Sequence, residues 1–266
     1  MAFSRGAMNV ATRQVDPLRP ETWEFSAFSQ NGEDGIIDHL LSLIHEPNRH
    51  FLEIGASDGM ENNTSFLAFA KKYTGVMVEG DRVRADTARR FLQPMNWGII
   101  FMHQHVEPDN VGALLSALTH RDPDFMSLDI DSNDYHVMEA VLAGGLRPKV
   151  ACVEYNSAFG PTRAVTIPYT RGLDYVAFHP SELYYGASVT AWRHLFAAAG
   201  YRFVCVDTRG VNAFFVDPGA LDMRDDVKGR DFAENVAQAR RHRVDWRGQF
   251  AMISELPFQE VGEGAP

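Results

Sequence analysis

Three aspartates, Asp129, Asp131 and Asp134, fall within six residues directly after the apolar run Phe125-Met126-Ser127-Leu128, and a later apolar run ends in Glu154-Tyr155-Asn156. Carboxylates this close repel one another unless a metal, a proton or a positive ligand relieves them. Hard oxygen donors suit magnesium or calcium, so Asp129, Glu154 and Asn156 are expected to meet at one rim as donors to a divalent cation, with Mg2+ preferred. Helix capping is the competing explanation, in which Asp131 or Ser132 caps a helix beginning near Asp134.

A second cluster is built from backbone. Phe51-Leu52-Glu53-Ile54-Gly55-Ala56-Ser57-Asp58-Gly59 runs an apolar strand into a tight turn with glycines four apart, and Asn62-Asn63-Thr64 follows as a helix start. Free N–H groups at such a turn can face a ligand. In the dinucleotide fingerprint the middle glycine lets backbone approach a pyrophosphate, and Ser57 stands there instead, so the turn suits a cofactor without pyrophosphate. Twenty residues beyond Gly59 the next apolar run ends in Val78-Glu79-Gly80-Asp81. An acid at that point can accept both hydroxyls of a ribose.

These groups need a scaffold that gathers strand ends. Strands are expected at about 50–54, 75–79, 98–103, 125–129, 149–155, 202–206 and 212–216. Helices are expected near 64–72, 84–92, 110–118, 134–143 and 188–199, after a first amphipathic helix that starts at Ser29 or Asn31 and carries Ile36, Ile37, Leu40, Leu41 and Ile44. The alternation implies an α/β fold: a Rossmann-like, doubly wound, mostly parallel seven-stranded sheet with one antiparallel C-terminal hairpin around Arg209 and Gly210. Residues 1–24 read as an N-terminal arm, either loose or strapped over the domain, 25–220 as the Rossmann-like domain, and 221–266 as a C-terminal extension packed on it. The aromatic-rich stretch 156–187 is too long for an ordinary connection and is expected to wall or cover an acceptor.

Composition narrows the partners. The chain has 266 residues and a formal charge of −10, which disfavours nucleic acid; the basic run Arg240-Arg241-His242-Arg243 reads as a solvated helix end. Cys152 and Cys205 sit in apolar runs and offer neither a disulfide framework nor a zinc site. No apolar run is long enough to span a membrane and residues 1–20 lack a signal-peptide core, so a cytoplasmic location is expected. Self-association is left open.

Taken together, the Gly55 turn and Glu79 resemble a class I S-adenosylmethionine-dependent methyltransferase. Adding Ser29-Gln30-Asn31-Gly32-Glu33-Asp34 and Leu128-Asp129-Ile130-Asp131, residues 27–216 resemble the FkbM-type methyltransferases, a group associated with methylation of hydroxyls in glycans and secondary metabolites. The aspartate pair is also similar to that of the macrocin O-methyltransferase family. That resemblance implies Asp129 as metal ligand and Asp131 as base, although the family's paired aspartates after strand five are replaced here by Glu154-Tyr155-Asn156. The cofactor contacts expected are Glu53, Gly55, Ser57, Asp58, Gly59, Asn63, Glu79, Gly80, His105 and Asp129. His103 is a further candidate, and His179 would act as base if the 156–187 segment closes over a small-molecule or glycan acceptor. Arg163 and Arg171 are candidates for binding phosphate or carboxylate on that acceptor. The alternatives are a metal-dependent nucleotide-sugar epimerase or mutase and a non-catalytic binding protein of the same fold.

Overall fold

The computed structural model describes residues 2–262. Along the chain the elements are α1 (Ala2–Thr12), α2 (Glu33–Leu41), β1 (His50–Ile54), α3 (Ser65–Phe69), β2 (Thr74–Glu79), α4 (Arg82–Leu92), β3 (Ile99–His103), α5 (Val111–Ala117), β4 (Phe125–Leu128) and α6 (Asp134–Ala143). They continue with β5 (Val150–Glu154), β6 (Val165–Thr166), α7 (Tyr175–Phe178), α8 (Val189–Ala198), β7 (Arg202–Val206), β8 (Asn212–Val216), α9 (Val236–His242), α10 (Trp246–Ala251) and β9 (Gln259–Glu260).

The main sheet has the order β3-β2-β1-β4-β5-β8-β7. Its first five strands are parallel, and β8 runs antiparallel to both β5 and β7. This is the doubly wound Rossmann-like architecture with a terminal hairpin that the alternation of apolar runs implies. Burial on both faces explains the near-continuous apolar strands. Leu52, Val76, Met126, Val153 and Phe215 pack toward α5, α6 and α8, while Phe51, Met77, Phe125, Cys152 and Phe214 pack toward α2 and α3. The two-residue period therefore puts Glu53, Glu154 and Asn212 on the α2 side, near the carboxyl ends of the parallel strands.

One helix is shorter than expected. Helix α3 stops at Phe69, and Lys72 turns away with φ +57° while the Tyr73 amide bonds to Leu67 O at 3.1 Å. Of the two readings of the N-terminal segment, the described residues up to Trp23 follow the strap over the domain. Helix α1 lies on the domain with Gly6 so close to Ala27 that a Cβ would come within 2.7 Å of its methyl. Arg13 then ties the segment down, donating to Trp23 O at 2.7 Å and to Asp38 Oδ2 at 2.9 Å, and Trp23 is fully buried. These contacts are tertiary, so local periodicity did not announce them.

Segment 156–187 is ordered against the C-terminal extension. Strand β6 pairs with β9 as an antiparallel ribbon, and Phe159, Ile167, Leu183 and Tyr184 share a small core with Ile253, packed against Phe250 and Phe258. Removing a fully buried indole costs about 3–5 kcal/mol. Trp23→Ala should lower the unfolding free energy from urea titration by that order with an unchanged m-value; a change below about 1 kcal/mol would favour the loose arm over the strap.

Candidate active site

A cleft of about 760 Å3 opens beyond the carboxyl ends of β1, β2 and β4, the switch point where strand order reverses and open α/β sheets bind ligands. Close approach of backbones builds its floor. Gly55, at φ +94°, lies so near the β4 end that a Cβ would stand 1.6 Å from Asp129 O. Ser57 follows in the left-handed region at φ +50°, a conformation held because its amide donates to Glu79 Oε2 at 2.8 Å. The Asp81 amide donates to Glu79 Oε1 at 2.7 Å. Glu79 is thereby fixed at the cleft rim with lone pairs left on both oxygens.

Glu53, Gly55, Ser57, Asp58, Asn63, Glu79, Gly80, His105 and Asp129 all line this cleft. Their roles differ. The His105 ring lies over Gly80, whose missing side chain makes the space: a Cβ there would be 2.7 Å from His105 Nδ1. Glu53 is buried beneath the turn, accepting from the Asn63 amide at 2.9 Å and from the Thr64 hydroxyl, and burial pushes its carboxyl up to about 7. Gly59 does not line the cleft; it faces α4, where a Cβ would approach Leu92 Cδ1 to 2.7 Å. His103, on the rim of β3, bonds to Gly80 O at 3.0 Å.

Asp129, Asp131 and Glu154 converge, with one carboxylate oxygen from each lying within 4.8 Å of the others. Asp134 is not part of the group. It accepts the amides of Ile130 and Ser132, each at 2.9 Å, and this clamp leaves Asp131 at the loop apex with φ +52°. Glu154 Oε1 receives the Tyr185 hydroxyl at 3.3 Å, which in turn accepts from Gln238 Nε2 at 2.9 Å. Glu154 Oε2 is buried without a partner. Burial, then the neighbouring carboxylates, push Asp129 and Glu154 well above the carboxylate range. Burial and Asp134 push Asp131 up to about 6. A group of oxygens at this spacing with an unpartnered buried member fits a divalent cation; without one, a shared proton relieves the repulsion.

The remaining expected residues lie elsewhere. Asn156 cannot serve as a metal ligand in this arrangement: its Oδ1 accepts from Ala158 N, and its Nδ2 donates to Leu183 O and Tyr185 O. His179 bonds to the Ser181 hydroxyl at 2.8 Å and does not line the cleft, so nothing places it as base. Arg163 stacks 3.8 Å over Phe250, Arg171 pairs with Asp109 on the surface, and neither lines the cleft. Of the 156–187 segment, residues Gly172 to Tyr175 do form one wall. Gln30, Asn31, Glu33 and Asn212 line the cleft as well. The segment around Glu33 had drawn attention only as a motif, because a helix start rich in acids is equally explained by the helix dipole.

No protein-family model matches the chain, and comparison with curated proteins returns no match. Among solved structures it is similar to an O-methyltransferase from Bacillus cereus in complex with S-adenosylhomocysteine, at 15% identity and TM-score 0.44 over 80% of this chain and 88% of that one. A methyltransferase from Thiobacillus denitrificans in complex with the same molecule aligns at 14% identity and TM-score 0.40, over 74% of this chain and 69% of that one. Spermidine synthase from Thermotoga maritima aligns at 13% and 0.41, over 72% and 59%. Likeness at this level concerns the shape of the fold alone.

Buried carboxyls with raised values bind protons in the folded state that the unfolded chain releases near pH 4 to 5. Stability should therefore be greatest below that range and fall as pH rises toward 7. For Glu53 alone, moving from 4.5 to about 7 corresponds to something on the order of 3 kcal/mol. Urea midpoints measured in chelator from pH 5 to 8 should decline, and Glu53→Gln should flatten the upper part of the decline; a profile rising across this window contradicts the assignment.

Proposed function

We propose that the protein is an S-adenosylmethionine-dependent methyltransferase acting on a hydroxyl of a sugar-like or other small polar acceptor. The observation that carries this reading is Glu79, pinned by two backbone amides at the end of β2 on the same cleft as Asp129 and Asp131. A ribose held by Glu79 would direct the rest of the cofactor along the Gly55 turn toward the acid group. Transfer is an in-line displacement, so the enzyme's task is alignment and proton removal. Asp131 would accept the acceptor's proton, and S-adenosylmethionine, when bound, would supply the methyl group to the freed oxygen, its sulfur keeping the electron pair of the broken carbon–sulfur bond. The strained Asp131 backbone and the Asp134 clamp hold that carboxylate at the apex. Asp129 and Glu154 would hold a divalent cation, which when bound lowers the pKa of the acceptor hydroxyl. The Tyr185 and Gln238 hydrogen bonds keep Glu154 oriented toward Asp129.

The acidic lining weighs against the nucleotide-sugar alternative. Among the described residues lining the cleft Arg84 and His105 are the basic side chains, an arrangement that repels a diphosphate. An inert binding protein would have no need of three converging carboxylates with an unpartnered buried oxygen.

Glu79→Ala should weaken S-adenosylhomocysteine binding by roughly 2–4 kcal/mol in calorimetry, the scale of lost charge-assisted bonds. Unchanged affinity would remove Glu79 from the site and the reading with it. Asp129→Asn should abolish the thermal stabilisation given by millimolar Mg2+ or Mn2+, while Asp131→Asn should retain it and lose turnover, because one removes a ligand and the other the base. Equal stabilisation of the wild type and Asp129→Asn by metal would dismiss the cation.

A further inference from the structure

Glu33 and Asn212 place at the cleft a carboxylate with no cation partner among the described residues and a carbonyl oxygen with no partner. The pairing of β5 with β8 sets Asn212 directly opposite Glu154, one strand beyond the acid group. Glu33 reaches it from the first turn of α2, and both side chains line the cleft although each residue is nearly sealed from bulk water, at 1% and 3% exposure. The Glu33 carboxylate accepts the Asn31 amide at 2.6 Å, Asn31 Nδ2 at 3.0 Å and Asn212 Nδ2 at 2.9 Å. All three donors are neutral, and among the described residues no ion pair is made to Glu33. Because the Asn212 amide nitrogen is committed to Glu33, its Oδ1 is left buried with no partner.

A desolvated carboxylate without a cation and an orphaned carbonyl oxygen each carry a free-energy penalty, and a single ligand group can relieve both. That group must donate at least two hydrogen bonds and carry positive charge. A hydroxyl supplies one donor and no charge, whereas a primary ammonium supplies three donors and the charge. The neighbourhood reinforces the sign: burial, then the charge of Glu33, raise the nearby Asp207 carboxyl to about 7.

We infer that Glu33 and Asn212 form a subsite for a primary ammonium group of the ligand in this cleft. Two sources fit the chemistry, and the assignment between them rests on the methyltransferase reading: the amino-acid tail of the cofactor, or an amine on the acceptor. Either way the acceptor end of the cleft favours cationic or neutral molecules over anionic ones, since Glu33, Asp129 and Asp131 line it and neither Arg163 nor Arg171 does.

Calorimetry on the full chain separates the cases with three nucleosides: S-adenosylhomocysteine, its decarboxylated analogue that keeps the amine, and 5′-methylthioadenosine, which lacks the tail. If the cofactor's ammonium sits here, Glu33→Gln weakens the first two by roughly ten- to hundredfold and leaves methylthioadenosine within twofold. If the amine belongs to the acceptor, all three bind Glu33→Gln as they bind the wild type. Wild-type protein saturated with S-adenosylhomocysteine then binds glucosamine in preference to glucose, and the variant loses that preference. Asn212→Ser should repeat the pattern more weakly. Equal loss for all three nucleosides, or no change in either arm, overturns the inference. Wild-type protein that binds none of the nucleosides defeats the methyltransferase reading instead, and the glucosamine comparison on the unliganded chain then decides this one.

Discussion

Backbone amides, in place of arginines or lysines, hold Glu79 and the buried carboxylates Asp34, Asp134 and Asp207. Asp34 gathers the amides of Ala27, Phe28 and Ser29; Asp134 gathers Ile130 and Ser132; Asp207 gathers Arg209, Val211 and Asn212; and Glu79 joins Ser57 to Asp81. Each acid organises a loop at the carboxyl end of the sheet. The amides are partial charges fixed in place, so they orient a carboxylate without neutralising it. The resulting rim is rigid and negative, and that combination governs which ligands it accepts.

How much of this was legible depends on whether the information was local. The seven strands could be read because each is a short apolar run bounded by turn residues, and the place of Glu79 on the cleft could be read because the second strand of such a sheet ends at its switch point. Asp134 misled: composition grouped it with Asp129 and Asp131, but only the folded loop reveals that it is consumed by its neighbours' amides. Asn156 and Arg163 misled for the same reason, since a polar side chain near a strand end looks free until its backbone partners are known. The docking of α1 and the pairing of β6 with β9 depend on contacts across the fold and leave little mark in any window of sequence.

The strain at the site has a physical role. Ser57 and Asp131 both adopt left-handed backbone, one on either side of the Gly55 and Asp129 contact. Non-glycine residues hold that conformation at a cost of order 1–3 kcal/mol, which persists only where surrounding bonds over-determine it. Here Glu79 fixes the first and Asp134 the second. The two loops are thus locked by acids that do not themselves belong to the converging carboxylate group, which separates the work of shaping the site from the work of chemistry.

The ribbon of β6 and β9 has a consequence for the order of assembly. Its strands are separated along the chain, with Val165 paired to Glu260, whereas the parallel sheet is complete once β8 has formed at Asn212–Val216. On a ribosome that adds about 5–20 residues per second, the sheet and the glycine turn emerge before the segment that braces the cleft wall. Long-range pairings of this kind also form late in refolding, because loop closure must precede them. The nascent protein therefore passes through a stage in which the Gly55 and Glu79 end of the cleft already exists while the opposite wall is still unsupported.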